Sequence, residues 1–373
     1  MLTVSWISPD SKRGRTMARL NRAQTQELNR AKVLAAARDE FAERGFRDAK
    51  VDTIAERAEL TRGAVYSNFP GKRALYFAVL AEIAEHAPWP AHAQPGRNLR
   101  EALGAFARGW VSRLPDDAAG WLGADLMSEV RSEERVRRPF TQLLTLDALL
   151  LALAMERLAP PESPVGVPAA RLVRMAETVL TTLHGASQLA VAAPGFIEPF
   201  DVVSACEQLA GLALSDWWAP PSAVPLAQSV DEPWSPPAAF DLVRGAQVDL
   251  GGDGAVVVLG LHRLSAAETA VRVAAEATVV LVTGDPAELG SLARLVIADV
   301  CGCLRQAFPS SAWPRVRVVC DESGSVASAM GLSAVSDASE TAIRVSGGRI
   351  VARTEGVGAV LGVVTPRSAE RFG

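Results

Sequence analysis

Cysteine is scarce, with four residues (Cys206, Cys301, Cys303 and Cys320) in a chain of 373. No export signal precedes them, so they read as reduced, buried thiols rather than a disulfide framework. Cys301 and Cys303 stand two apart in a helical pattern, which turns them about 200° from each other and keeps them from chelating one ion. Histidine is equally rare. His86 and His92 lie near Glu85, but their spacing and Pro-rich surroundings do not fit a metal site, and neither metal nor cofactor is expected. No long hydrophobic run occurs. The most apolar stretch, LLTLDALLLALAM, is interrupted by Asp147 and is too short for a membrane span. The basic start of the chain is followed by no apolar segment, which excludes a secretory signal and points to the cytoplasm. GGDG at 251–254 lacks the Lys-Ser/Thr pair and the following helix of a phosphate loop, so it reads as a turn.

What is present is a run of three short helical patterns from Asn29 to Lys72. The first spans about Arg30–Glu43, with Asn29 as N-cap, Val33, Leu34, Ala37 and Phe41 on one face, and Gly45 as stop. The second spans Val51–Ala58, with Val51, Ile54, Ala55 and Ala58 inward. Glu59-Leu60 makes the turn. Thr61 caps a third helix, Arg62–Asn68, whose Ala64 and Val65 face inward with Phe69. This leaves Arg62, Gly63, Ser67 and Asn68 outside. Two helices joined by a short turn are how a DNA-reading helix-turn-helix looks in sequence. The small residues Gly63 and Ala64 let such a helix approach base edges. A helical bundle without a nucleic-acid role would share the pattern, but not the charge. Residues 1–80 hold 15 Lys and Arg against 9 Asp and Glu, while the remainder holds 23 against 33. A mildly acidic chain thus concentrates positive charge at this end, the footprint of phosphate binding.

The segments FAERGF, IAERA, TRGAVYSNF and the following GK resemble the DNA-binding domain of the TetR family of bacterial repressors, over about 60 residues. The resemblance implies that Thr61, Tyr66 and Lys72 touch phosphates. It places Arg62, Gly63, Ala64, Ser67 and Asn68 at or near base edges. Two positions depart from the family pattern. Glu59 stands where the turn usually carries Gly, at a cost of about 1 kcal/mol. Lys50 stands where the second helix usually has a Ser or Thr cap; it can reach a phosphate but cannot cap.

Residues 1–28 carry Lys12, Arg13, Arg15, Arg19 and Arg22 among small polar residues. They read as a flexible basic arm, either reaching along DNA or forming a free tail. The helix-turn-helix domain is assigned to 29–75, and helical patterns continue over 76–216. These are Lys72 to about His86, Leu99–Leu114, Trp121–Arg131, Pro139–Leu158, Pro168–Ala192 and Phe200–Trp217. In the TetR family this region encloses a ligand cavity, and its last two helices form a dimer interface. Here they carry Leu172, Met175, Val179, Leu183 and Leu189, then Val203, Leu209 and Leu212. Trp110, Trp121, Met127, Met155, Met175 and His184 are candidates for lining a pocket, with core packing the competing role for each. The expected ligand is an apolar or amphipathic small molecule.

Six prolines in 217–238 predict a linker without regular structure, whose Trp217, Trp218 and Trp234 pack on a domain. Beyond it the pattern alternates. A hairpin (AFDLVRGAQVDLGG) leads to buried strands AVVVLGL, TVVLVTG and RVRVVCD. Helical segments SAAETAVRVAAEA, LGSLARLVIADVCGCLRQAF and SVASAMG separate them, and a hairpin, TAIRVSGG–RIVARTEG, closes the series. This is an α/β domain over 239–373. FDLVRGAQVDLGG…AVVVLGL and VVCDESGSVASAMGL…TAIRVSGGRIVARTEG resemble the thioredoxin and peroxiredoxin fold. The family's cysteine after the first core strand is missing from LHRLSAAETA. Its proline before the last hairpin is missing from SDASETAI. An enzyme is therefore not expected.

The sequence thus predicts a multidomain chain: all-α TetR-like DNA-binding and dimerisation domains followed by a thioredoxin-like α/β domain. The expected function is a homodimeric, ligand-responsive repressor on a palindromic double-stranded DNA operator. The alternative is a redox-responsive regulator, or a fused thiol oxidoreductase, acting through the last domain.

Overall fold

The computed structural model describes residues 22–87, 94–114, 122–158, 171–214, 216, 218 and 224–364. The chain begins there with α1 (Arg22–Asp48), α2 (Val51–Arg57), α3 (Arg62–Asn68) and α4 (Lys72–Glu85). The first helix starts earlier than its apolar face suggests, so Asn29 lies inside it and residues 22–28 of the expected arm are helical. Nothing in AQTQEL interrupts a helix: no Pro or Gly occurs there, and Gln, Glu and Leu are good helix formers. Residues 1–21 of the arm lie outside the described residues. Gly45 breaks the helical path at φ 70°, ψ 172°, as a stop near that position requires. Val33, Ala37 and Phe41 of α1 meet Ile54, Val65 and Phe69 in one buried cluster.

The middle of the chain holds α5 (Leu99–Val111), α6 (Leu126–Ser132), α7 (Glu134–Leu158), α8 (Val173–Ala192) and α9 (Pro199–Leu209). The last two are shorter than their sequence patterns. Asp216 explains one end: its carboxylate accepts from the Val173 and Arg174 amides at 2.7 and 3.0 Å, capping the start of α8 from a position beyond α9. Helix α7 is long and apolar enough by composition to cross a membrane, but most of that stretch is buried inside the fold, as a core helix is.

An eight-stranded mixed sheet follows, in the order β1-β8-β7-β4-β5-β6-β2-β3. Its strands are β1 (Gln228–Pro233), β2 (Ala239–Asp241), β3 (Ala246–Val248), β4 (Gly254–Gly260), β5 (Ala277–Val282), β6 (Arg317–Cys320), β7 (Glu340–Ser346) and β8 (Arg349–Glu355). β4, β5 and β6 run parallel at the centre, and antiparallel strands flank them. The expected linker is corrected in part, because β1 forms within it and pairs with β8. Proline is tolerated there because β1 is an edge strand and Pro233 ends it. The tryptophans do pack: Trp234 is buried with Nε1 donating to the Leu250 carbonyl, and Arg272 lies 4.7 Å from the Trp218 ring centre. Trp217 lies outside the described residues.

Alternation sorts the strand residues onto two faces. Val256, Val258, Val280, Val282 and Ile343 pack with Trp234 and with Val326 and Met330 around the short α12 (Ser325–Ala329). Val257, Leu259, Val279, Leu281 and Ala342 face the other way. There they meet α10 (Ala266–Val273), α11 (Ser291–Ala307) and α13 (Ala359–Val364). Helix α11 is buried on both its sides. It packs on the sheet and also on α4, α5 and α7, so a single hydrophobic cluster runs from α1 through α4 and α11 into the sheet.

Candidate functional site

Helix α3 is short and is held from both ends. The Thr61 hydroxyl accepts from the Ala64 amide at 3.2 Å, the expected cap. At the other end Val65 and Phe69 are buried against α1 and α2. The turn before it is as tight as the sequence suggests. Glu59 sits at φ 56°, and the Leu60 amide reaches back to the Ala55 carbonyl at 3.0 Å. Lys50 precedes α2 with no side-chain cap. The missing cap is partly replaced by Glu40, fully buried on α1, whose carboxylate accepts from the Lys50 amide and pairs with Arg57 and Arg44.

The sequence-selected residues of this head lie together. Lys50, Thr61, Arg62, Gly63, Tyr66 and Ser67 are exposed, and Ala64 and Asn68 are half-buried beside them. Arg62 pairs with Asp52 at 3.2 Å and lies over the Tyr66 ring. Ser67 and Asn68 both donate to the Ala64 carbonyl. Lys72 differs from the rest. Its ammonium donates to the Arg47 and Ala49 carbonyls at 3.0 and 3.2 Å and lies over the Phe46 ring. Two of its three donors are thereby engaged in joining α4 to the end of α1.

Behind the head, α1, α4, α5, α7, α8 and α11 surround a cavity of about 970 Å³. Of the candidate pocket residues, Trp110, Met127 and His184 line it. Met155 and Met175 do not: both are buried in the cluster between α5, α7 and α8, where core packing claims them. Trp121 lies outside the described residues. At the polar end of the cavity His184 is joined by Asp147, Asp299 and Arg113, which sequence reasoning missed. Asp147 is fully buried on α7, and neither carboxylate oxygen has a hydrogen-bond partner among the described residues. Burial first, and then the charge of Asp299 on α11, pushes its carboxyl well above the ordinary value. His184 is held below its ordinary value by burial, against the pull of Asp299, and its Nε2 has no partner among the described residues either. Arg113 pairs with Asp299 and donates to the Cys303 sulfur. Trp110 donates to Ser187 at 2.9 Å and meets the His184 ring edge-on. One signal for this arrangement was available. Residues 74–81 of α4 are apolar all round, and a helix of that kind needs partners on every side.

The thiols are poorly suited to redox sensing. Cys301 faces the sheet-side cluster and Cys303 the helical one, both buried. Burial pushes Cys303 and Cys206 up to about 11 and raises Cys301 and Cys320 further, which keeps thiolate scarce at neutral pH. His86 belongs to no group of three or more potential metal ligands among the described residues, and His92 lies outside them.

Comparison with known proteins bears on the head. Residues 33–79 match the family model for bacterial regulatory proteins of the tetR family. The HTH-type transcriptional regulator SrpR of Pseudomonas putida is 45% identical over 65 residues, which are 17% of this chain and 30% of SrpR. TtgW, an uncharacterized HTH-type transcriptional regulator also from Pseudomonas putida, is likewise 45% identical over 65 residues, 17% of this chain and 48% of TtgW. The chain therefore spans less than half the length of either relative. Among solved structures, a transcriptional regulator from a Rhodococcus species aligns at 25% identity and a TM-score of 0.33, over 49% of this chain and 94% of its own. The fatty acid degradation regulator FadR from Bacillus halodurans aligns at 19% and 0.33, over 49% and 99%. By the family match over residues 33–79, the N-terminal head is a TetR-family helix-turn-helix domain, the DNA-binding unit of bacterial transcription regulators.

Proposed function

We propose that the protein is a ligand-responsive repressor that binds a palindromic DNA operator as a homodimer in the cytoplasm. The observation that carries this reading is the exposed surface of α3 and its surroundings, where Thr61, Arg62, Gly63, Tyr66 and Ser67 form one outward face on a helix with a buried back. On DNA, Arg62, Gly63, Ala64, Ser67 and Asn68 approach base edges. Thr61, Tyr66, Lys50 and the remaining donor of Lys72 meet phosphates. Dimerisation through α8 and α9 is supported by large apolar side chains left in water on and around them: Phe196 and Phe200 are 71% and 73% exposed, and Leu189 and Leu212 are exposed as well. A molecule in the cavity touches α1 and α4 at once, and so can change the angle at which each head meets the operator. The order and directions of β4 to β8 support a thioredoxin-like reading of the last domain, without the cysteine that its redox chemistry would need.

The test is binding of the purified protein to DNA upstream of its own gene, with unrelated competitor DNA and at two salt concentrations. A footprint resistant to competitor, and lost in an Arg62→Ala, Tyr66→Ala variant of unchanged melting temperature, is expected. Equal, salt-sensitive and sequence-blind binding by both proteins would overturn the reading.

A further inference from the structure

We propose that the cavity takes a lipophilic amine, with its ammonium group held by Asp147 and its apolar body lying along Phe140 and the walls of α4 and α11. This deepens the reading of the cavity as an effector site and rests on it.

A carboxyl group buried with no partner is costly in either protonation state, since each state leaves acceptors or a donor unused. Asp147 lines the cavity, so a ligand can reach it. The groups around it decide what kind. Asp299 reaches it from α11 and His184 stands on α8, and both line the same cavity. Arg113, just past the end of α5, has its two terminal nitrogens on Asp299 and Cys303, which leaves only its Nε without a partner among the described residues. Cys301 on α11 is held as a neutral thiol by burial. An anion entering this end would therefore meet two carboxyl groups, and an arginine whose charge Asp299 already offsets and which has a single Nε donor to offer. An ammonium group would meet an unpaired acceptor, with a second carboxylate close by. The exposed part of the lining holds Asp39 and Glu82 beside Arg38 and His86, so it adds no excess of fixed positive charge. The apolar part of the ligand follows from helical spacing. Phe140 and Asp147 are seven residues apart on α7 and share one stripe, and both line the cavity. Leu80, Leu295 and Val296 complete an apolar wall.

In the empty cavity, burial favours the neutral acid of Asp147. Binding an ammonium ion ionises it, and its proton passes to the buffer. Amine binding should therefore release up to about one proton per site at neutral pH, whereas a neutral or anionic ligand at the same site has no reason to.

The experiment is titration calorimetry of the full chain with decylamine, decanol and decanoate, each below its aggregation concentration, in two buffers of different ionisation heat. The amine is expected to bind on the order of tenfold tighter than the other two and to release a proton, as a charged hydrogen bond at a buried site implies. In Asp147→Asn both the preference and the proton release should disappear. Retained decanol binding and a melting temperature at or above that of the parent would certify its fold. Preference for decanoate, equal affinity for all three, binding by none, or an amine preference that survives in Asp147→Asn would each overturn the proposal. No DNA is present in this titration, so its failure would be distinct from a failure of operator reading.

Discussion

Glu59 holds a left-handed backbone conformation, φ 56°, at the corner between α2 and α3. A side chain there clashes with its own carbonyl, at a cost of roughly 1–2 kcal/mol that glycine does not incur. Its side chain is exposed, with no bond among the described residues that would offset this. Glu59→Gly should therefore raise stability by about 1 kcal/mol, less the extra freedom glycine brings to the unfolded chain, and leave DNA affinity unchanged; chemical denaturation with a parallel binding curve checks both. This strain was legible in the sequence, because a helix-turn-helix corner needs such a conformation whatever residue occupies it. The isolation of Asp147 was only half legible. An aspartate inside LLTLDALLLALAM advertises burial, but its neighbours come from α8 and α11, and no local pattern in α7 announces them.

Between the reading head and the sheet, polar coupling runs through a five-membered ion network. Arg73, in the first turn of α4, pairs with Glu288 at 2.8 Å and Glu133 at 2.9 Å. Arg135 on α7 reaches Glu133, Asp285 and the same Glu288. Glu288 is nearly buried in the turn that leads into α11. The two arginines draw Glu133 down to about 2 by direct hydrogen bonds. A carboxylate so lowered contributes stability that is complete above its unfolded value and lost as pH falls towards the folded one, so this network weakens only in acid. Removing Glu288 leaves two guanidinium groups short of an acceptor at a largely buried seam. Glu288→Ala should cost about 2 kcal/mol, since Arg135 is half exposed and water screens part of the loss. A cycle with Arg73→Ala should show coupling on the order of 1 kcal/mol. Additive effects of the two substitutions would mean that α4 and the turn are not coupled here. The individual helices and strands could be read from periodicity and punctuation, but this network could not. Its members come from three separate segments, and charge at a helix start ordinarily signals solvent.

At the scale of the whole chain, the sequence suggests modules in series, and the packing joins them. The Pro-rich stretch after α9 does separate two composition regimes, which is why a linker is the natural reading. What it hides is that α11 belongs to both halves. Leu292, Val296, Val300, Cys303 and Leu304 are buried along it, facing clusters shared with α4, α5 and α7 as well as the sheet. A helix buried on one side by a sheet and on the other by helices cannot be withdrawn without exposing both partners. Helix α4 shows the consequence. Residues 74–81 are all buried, and an apolar surface of that extent returned to water costs roughly 25 cal/mol per Å². The head and the α/β half should therefore unfold together, in one calorimetric transition rather than two. A chain ending after residue 224 should lose the soluble, cooperative fold even though it retains every helix from α1 to α9, because α4 and α7 would face water along the surface that α11 now covers. Exposed apolar area of this kind promotes association. Expression of the truncated chain, followed by gel filtration and dye binding to exposed apolar surface, checks the point. A monodisperse truncated protein with native-like melting and intact DNA binding would instead make the sheet domain a true appendage, and α11 a cover that the helical core does not need.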